Sequence, residues 1–249
     1  MLDQPDTNEL LAADLLTLAR LLEDNGLVDD VRSLYDASNR VRLSRDENWA
    51  YECVNLKFKT IEEKMGGAIP NNINFFTLIF SININGKYTD DSTYYNPLNS
   101  LDVFDIEISA YDEDLKELYA SWHLDKHISS GNDGIPQFIH PEYHIAFGGN
   151  LMEGKMATYE GLVVLPAPRI SHPPMDVVLG IDFIVQNYFR LEDKRKLIED
   201  SNYKEIIKRS QKRLWRPYFA SINCEWHNPP EGVKIDEEFN NKQVFPFFT

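Results

Sequence analysis

Cysteine is scarce. The 249 residues include two, Cys53 and Cys224, far apart and neither in a CxxC pair. That pattern excludes a disulfide framework, a zinc ribbon and a thioredoxin-like site. Two free thiols in a reducing compartment are the expectation. Long apolar runs are lacking too. The most apolar stretch of the second half, Met175 to Val185, carries Asp176 and Asp182 and is too short to span a bilayer. Met1 to Asp6 has neither the basic flank nor the apolar core of a signal peptide, so a cytoplasmic location is expected. Positive charge is in deficit, with 25 Lys and Arg against 40 Asp and Glu, a formal net charge of −15. General binding to nucleic-acid phosphates is therefore disfavoured. The sequence has no GxxxxGK[ST], no GxGxxG, no GxSxG and no kinase motif set. It also lacks repeats, low-complexity blocks and long eukaryotic-type linkers, which fits a bacterial chain.

What is present is an ordinary globular composition. Apolar residues make up 43% and charged residues 26%, which excludes wholesale disorder. The charge is uneven. Between Arg190 and Arg216, ten Lys and Arg stand among five acids, a net +5 on an otherwise acidic chain. A basic helix of this kind either salt-bridges to its own body, binds an acidic partner or touches nucleic acid, the first being commonest.

Periodicity predicts helices at both ends. Thr7 can cap a helix whose face is Leu10, Leu11, Leu15, Leu18, Leu21 and Leu22, ended by Asn25-Gly26. A short helix is expected from Asp29 to Ala37. A longer one is expected from Asp46 to Met65, where Val54, Phe58, Ile61 and Met65 recur at helical spacing. The middle reads as β. Asn72 to Ile84 is rich in β-branched and aromatic residues and meets Asn85-Gly86, a strong hairpin signal. Strands are expected at Leu101–Ser109, Leu115–His127, Tyr143–Phe147 and Thr158–Leu165. Two helices follow, Met175 to Phe189 and Asn202 to Trp215, with Pro217 expected to end or kink the second. The fold class is thus α+β, with N-terminal helices (1–67), a central, mainly antiparallel sheet (68–166) and C-terminal helices with a tail (167–249).

Histidine is the chemically suggestive feature. Four of six fall within 22 residues: His123, His127, His140 and His144, accompanied by Asp125 and Glu142. On strands, alternation sends His123, Asp125 and His127 to one face, and Glu142 and His144 to one face. Imidazoles with a carboxylate form the ligand set that zinc, manganese or iron accept, and a spare carboxylate can serve as general base. His172 is a possible extra member. His123-Leu124-Asp125-Lys126-His127 has the outer spacing of HExxH but lacks its Glu. The plainer reading is a polar sheet face in water.

Two functions remain open. One is a non-catalytic interaction or assembly subunit, using the Leu10–Leu22 helix and the apolar Phe245–Phe248 terminus to meet another chain or a second copy. The alternative is a divalent-metal-dependent, nuclease-like or other hydrolase, with His123, Asp125, His127, His140 and His144 as ligands and His123, Asp125, Glu142 or His144 as catalytic candidates.

Overall fold

The computed structural model describes residues 7–44, 48–59, 73–127, 140–148, 152, 169–239 and 244–246. Helices α1 (Asn8–Asp24) and α2 (Arg32–Leu43) come first. Strands β1 (Asn48–Phe58), β2 (Ile73–Lys87), β3 (Thr93–Tyr94), β4 (Leu98–Asp112), β5 (Glu117–Lys126), β6 (Tyr143–Phe147) and β7 (Ile170–Ser171) follow. Helices α3 (Val177–Tyr188), α4 (Leu191–Glu199) and α5 (Ser201–Asn223) and a short β8 (Lys234–Ile235) complete it. The fold is α+β. Six strands form an antiparallel sheet in the order β1-β2-β4-β5-β6-β7, and β3 pairs in parallel with β8.

The sheet buries one face. Trp49, Tyr51, Cys53, Leu78, Phe80, Ile82, Phe104, Ile106, Leu124, Tyr143 and Ile145 join the helices in a continuous apolar core. Leu11, Leu15, Leu18 and Leu22 of α1 are fully buried in it, each contributing about 2 kcal/mol from area removed from water. The leucine-rich face of α1 therefore packs on the chain's own α2 and α5. Of the C-terminal segment, Val244 is buried in the core and Phe245 and Pro246 are half-buried. Phe247 and Phe248 lie outside the described residues, as do the strand expected at Thr158–Leu165 and most of the 59–72 region.

Two local expectations are overturned, and of the two outcomes expected at Pro217, an end to the helix is ruled out. The stretch expected as a helix from Asp46 is strand β1. Trp49, Tyr51 and Cys53 alternate inward. The register then shifts between Cys53 and Leu56, with Asn55 at φ 56°, and Leu56 and Phe58 resume the inward face. A bulge inserts one residue, and the interrupted alternation imitates helical spacing.

Asn85-Gly86 is not a turn. It lies within β2, paired with β1 and β4 on either side (Gly86 opposite Trp49 and opposite Leu98). A Cβ at Gly86 would sit 2.6 Å from the Trp49 ring and 2.3 Å from the Pro97 carbonyl. Glycine is there because an indole lies across the strand.

Pro217 does not end the last helix, which runs to Asn223 with Pro217 buried inside it. Proline forfeits a hydrogen bond, but Leu214, Tyr218 and Ser221 are buried on either side and hold both halves.

The basic helix α5 docks on its own body. Arg209 grips Asp14 of α1 through two nitrogens, one at 2.9 Å. Arg213 meets Asp176 at 3.1 Å with both side chains excluded from water, and Asp176 also caps α3 through Leu179 N–H. Arg216 bonds Asp91 at 2.7 Å and lies over the Tyr94 ring. No helix among the described residues is long and apolar enough to cross a membrane.

Candidate histidine site on the sheet face away from the core

The face of the sheet opposite the core is polar, because the same alternation that sends Leu124 and Ile145 inward sends their neighbours outward. Register fixes who meets whom. On β5 and β6, Asp125 stands opposite His144 and His123 opposite Ala146. On β4, Asp105 stands opposite His123.

The result is a chain of side chains across two strands. His123 Nε2 lies 3.2 Å from Asp125 Oδ2, and His144 Nε2 lies 3.4 Å from the same oxygen. The other nitrogen of His144, Nδ1, is 3.2 Å from the Pro141 carbonyl. The His140 ring sits between two others, 4.1 Å from His127 and 4.8 Å from His144 between centroids. Backbone pairing continues past β5, with His127 N–H donating to the Glu142 carbonyl at 2.7 Å.

This corner of the sheet is only partly open to water, with Asp125 exposed and His123, His127 and His140 half-buried. His144 is 2% exposed and Ser121 is fully buried. Ser121 donates to the Gly148 carbonyl at 2.5 Å. Burial without a partner would be costly for these groups, and the hydrogen-bonded chain supplies partners.

The protonation states are pushed apart. Hydrogen bonding to Asp125 raises the pKa of His123 above the ordinary histidine value, against an opposing pull from burial. Burial, with the nearby charges of Arg169 and the other two imidazoles, lowers His140 to about 4. Burial alone would raise Asp125, but its hydrogen bonds from His123 and His144 win and hold the carboxyl well below the usual range. Asp105 is raised, chiefly by burial.

Five of the expected site residues are brought together: His123, Asp125, His127, His140 and His144. Glu142 is not. It lies on a bend before β6, where strand alternation does not apply. Its Oε1 takes hydrogen bonds from Lys126 at 3.1 Å and Asn96 at 2.8 Å. Its Oε2 is buried without a partner among the described residues. Asn96 in turn accepts from Tyr143 O–H. His172 also lies elsewhere, its ring against Phe183 of α3 and its Nδ1 2.7 Å from the Pro173 carbonyl. Among the described residues, no group of three or more His, Cys, Asp or Glu converges closely enough to hold a metal ion. Sequence reasoning did not pick out Asp105 or Arg169 for this site. Asp105 was readable as the outward residue of its strand, and Arg169 precedes a strand too short to leave a pattern.

A surface groove of about 310 Å³ lies elsewhere, between α2 and β1, lined by Ser33, Asp36, Asn39, Arg40, Leu43, Glu52 and Val54. Its Arg40 and Glu52 already pair at 2.6 Å, and it holds no histidine. The chemistry of the chain is concentrated at β5 and β6. No protein-family model matches the chain, and neither a curated protein nor a solved structure matches it significantly.

Proposed function

We propose that this chain is an enzyme whose acid–base centre is the histidine group on β5 and β6, catalysing a hydrolytic or transfer reaction. The observation that carries this reading is the His123–Asp125–His144 chain, buried at His144 and placed on the face that the core does not use. The chain adds little to stability, since its central carboxylate, Asp125, is half exposed and its pairings are screened by water.

Asp125 favours the charged form of His123, while burial and Arg169 favour the neutral form of His140, and two imidazoles biased in opposite directions suit general acid–base catalysis. His140, kept neutral, accepts the proton of an attacking water or hydroxyl as its oxygen bonds to the electrophilic centre. His123, whose charged form Asp125 favours, delivers a proton to the leaving oxygen, which departs with the electron pair of the broken bond. Asp125 is a positioning residue that orients His123 and His144.

The test is turnover of p-nitrophenyl acetate, p-nitrophenyl phosphate and bis(p-nitrophenyl) phosphate by purified protein, with and without EDTA. Hydrolysis that survives EDTA and falls about 100-fold or more in His140→Ala, with melting unchanged, supports the reading. Hydrolysis lost in EDTA and restored by zinc or manganese supports the divalent-metal version of the same site instead. No turnover, together with His123 and His140 titrating alike by NMR, overturns it.

A second reading, as a subunit of an assembly, is favoured by the aromatic surface at the end of α5, where Phe219 and Trp226 are more than half exposed. It calls for self-association or a co-purifying chain that Phe219→Ser abolishes. A monomer at all concentrations, with no partner retained, counts against it.

A further inference from the structure

We propose that the histidine group binds a phosphate-type oxyanion, so that its substrate is a small phosphate ester, with Arg169 as the anchoring cation. The inference rests on the acid–base reading and names its substrate class. β7 pairs with β6 so that Ser171 stands opposite His144 and Ile170 opposite Ile145. Arg169 immediately precedes Ile170, so its backbone enters the sheet beside the end of β6 where Ala146 stands opposite His123 on β5. Its backbone position puts the guanidinium near the strand that carries His144. Its charge is felt at His140.

Arg169 is half-buried, and no carboxylate pairs with it among the described residues. The contrast with α5 is informative. There Arg209, Arg213 and Arg216 each hold an aspartate. A half-buried arginine without an acid among the described residues, close enough to His140 to influence its charge, is a cation poised for an anion from outside. The carboxylate that faces the group, Asp125, is already occupied by His123 and His144. Glu142 is occupied by Lys126, and Asp105 lies one strand further off, opposite His123.

The ligand chemistry follows from the donors. A guanidinium presents paired N–H groups that match two oxygens of a tetrahedral oxyanion. His127 and His140, their rings 4.1 Å apart, offer imidazole N–H groups beside one another, and His140 feels the Arg169 charge. The net charge of −15 repels a long polyanion. The site therefore suits a compact monoester or diester rather than a nucleic-acid duplex.

The experiment is an NMR titration of the histidine ring signals of the full chain with potassium phosphate, against potassium chloride at matched ionic strength. Saturable shifts with phosphate only, with His140 protonating at higher pH in the bound state, support the proposal. Arg169→Gln should weaken the affinity by about tenfold or more, the loss of one charged hydrogen-bonding partner, and Arg169→Lys should restore part of it. Equal shifts in chloride and phosphate, or unchanged affinity in Arg169→Gln with folding intact, overturn it. Should phosphate fail while His140→Ala still abolishes turnover of p-nitrophenyl acetate, the acid–base centre stands and the substrate class assigned here is wrong.

Discussion

Gly180 supplies the sharpest test of how the helical layer seats on the sheet. It lies in the second turn of α3, directly over the sheet. A Cβ built there would come within 2.4 Å of Phe80 Cζ and 3.0 Å of the Phe104 ring. In a helix, Gly→Ala normally stabilises by about 1 kcal/mol through backbone entropy. Here that gain is opposed by overpacking. The 2.4 Å approach must open by at least about 1 Å to reach ordinary contact. Phe80 is fully buried, with its ring 5.0 Å from Phe104 in an edge-on arrangement, so it has nowhere to turn. Overpacking of this kind costs about 1–3 kcal/mol, and the lack of slack puts it near the upper end. The net expectation for Gly180→Ala is a loss of about 2 kcal/mol, or roughly 4–8 °C in melting temperature for a chain of this size. Urea unfolding followed by circular dichroism measures it. Phe80→Leu removes the clashing atom, so in that background Gly180→Ala should cost far less. A Gly180→Ala variant as stable as the parent, or more so, would refute the reasoning.

Other expectations concern charge and backbone. Arg213→Met should destabilise by about 3–5 kcal/mol, because it leaves Asp176 buried and uncompensated, whereas Arg213→Met with Asp176→Asn should recover much of that loss in denaturant titrations. His140 is depressed to about 4, so between the ordinary 6.5 and that value the unfolded chain binds the extra proton. Stability should therefore fall as pH drops through that window, and His140→Gln should flatten the fall in a melting-temperature series from pH 7 to 4. His123 is raised, so its contribution is present at and below about 6.5 and lost as pH rises through the higher folded value. His123→Gln should remove that decline in a companion melting-temperature series taken from pH 6 upward to pH 9. Gly86→Val should displace the Trp49 indole, shifting its fluorescence toward the exposed range and lowering stability, while Gly232→Ala, which meets nothing within 4 Å but has φ 83°, should cost only its local strain of about 1 kcal/mol.

Much of this architecture was legible in residue patterns. The leucines of α1, the alternation of β4 through Phe104 and Ile106, and the strand from Leu115 to His127 all read correctly, because one buried face imposes one period. The failures share a cause, which is that long-range packing chose between locally plausible forms. β1 was obscured by its bulge, since a one-residue slip makes inward positions fall at intervals of two and three. Asn85-Gly86 obeyed tertiary contact with Trp49 instead of turn propensity. At the site, alternation alone brought His123 and Asp125 to one face, and strand pairing added His144. It could not reach Glu142, which stands before its strand on a bend. Nor could it reveal that His144 would be buried, a property of what lies above the sheet rather than of spacing along it.

The bulge at Asn55 also limits how this chain can change length. Trp49, Tyr51 and Cys53 lie inward before it and Leu56 and Phe58 lie inward after it only because one residue is set aside between them. Deleting one residue from Leu56–Phe58 would turn the remaining side chains there toward the opposite face, while deleting a pair would keep the facing and merely shorten the strand. Along β1, viable insertions and deletions should therefore come in even numbers everywhere but at Asn55, where removal of a single residue straightens the strand. That edge of the sheet is tolerant of length in steps of two, with one position at which parity can be reset.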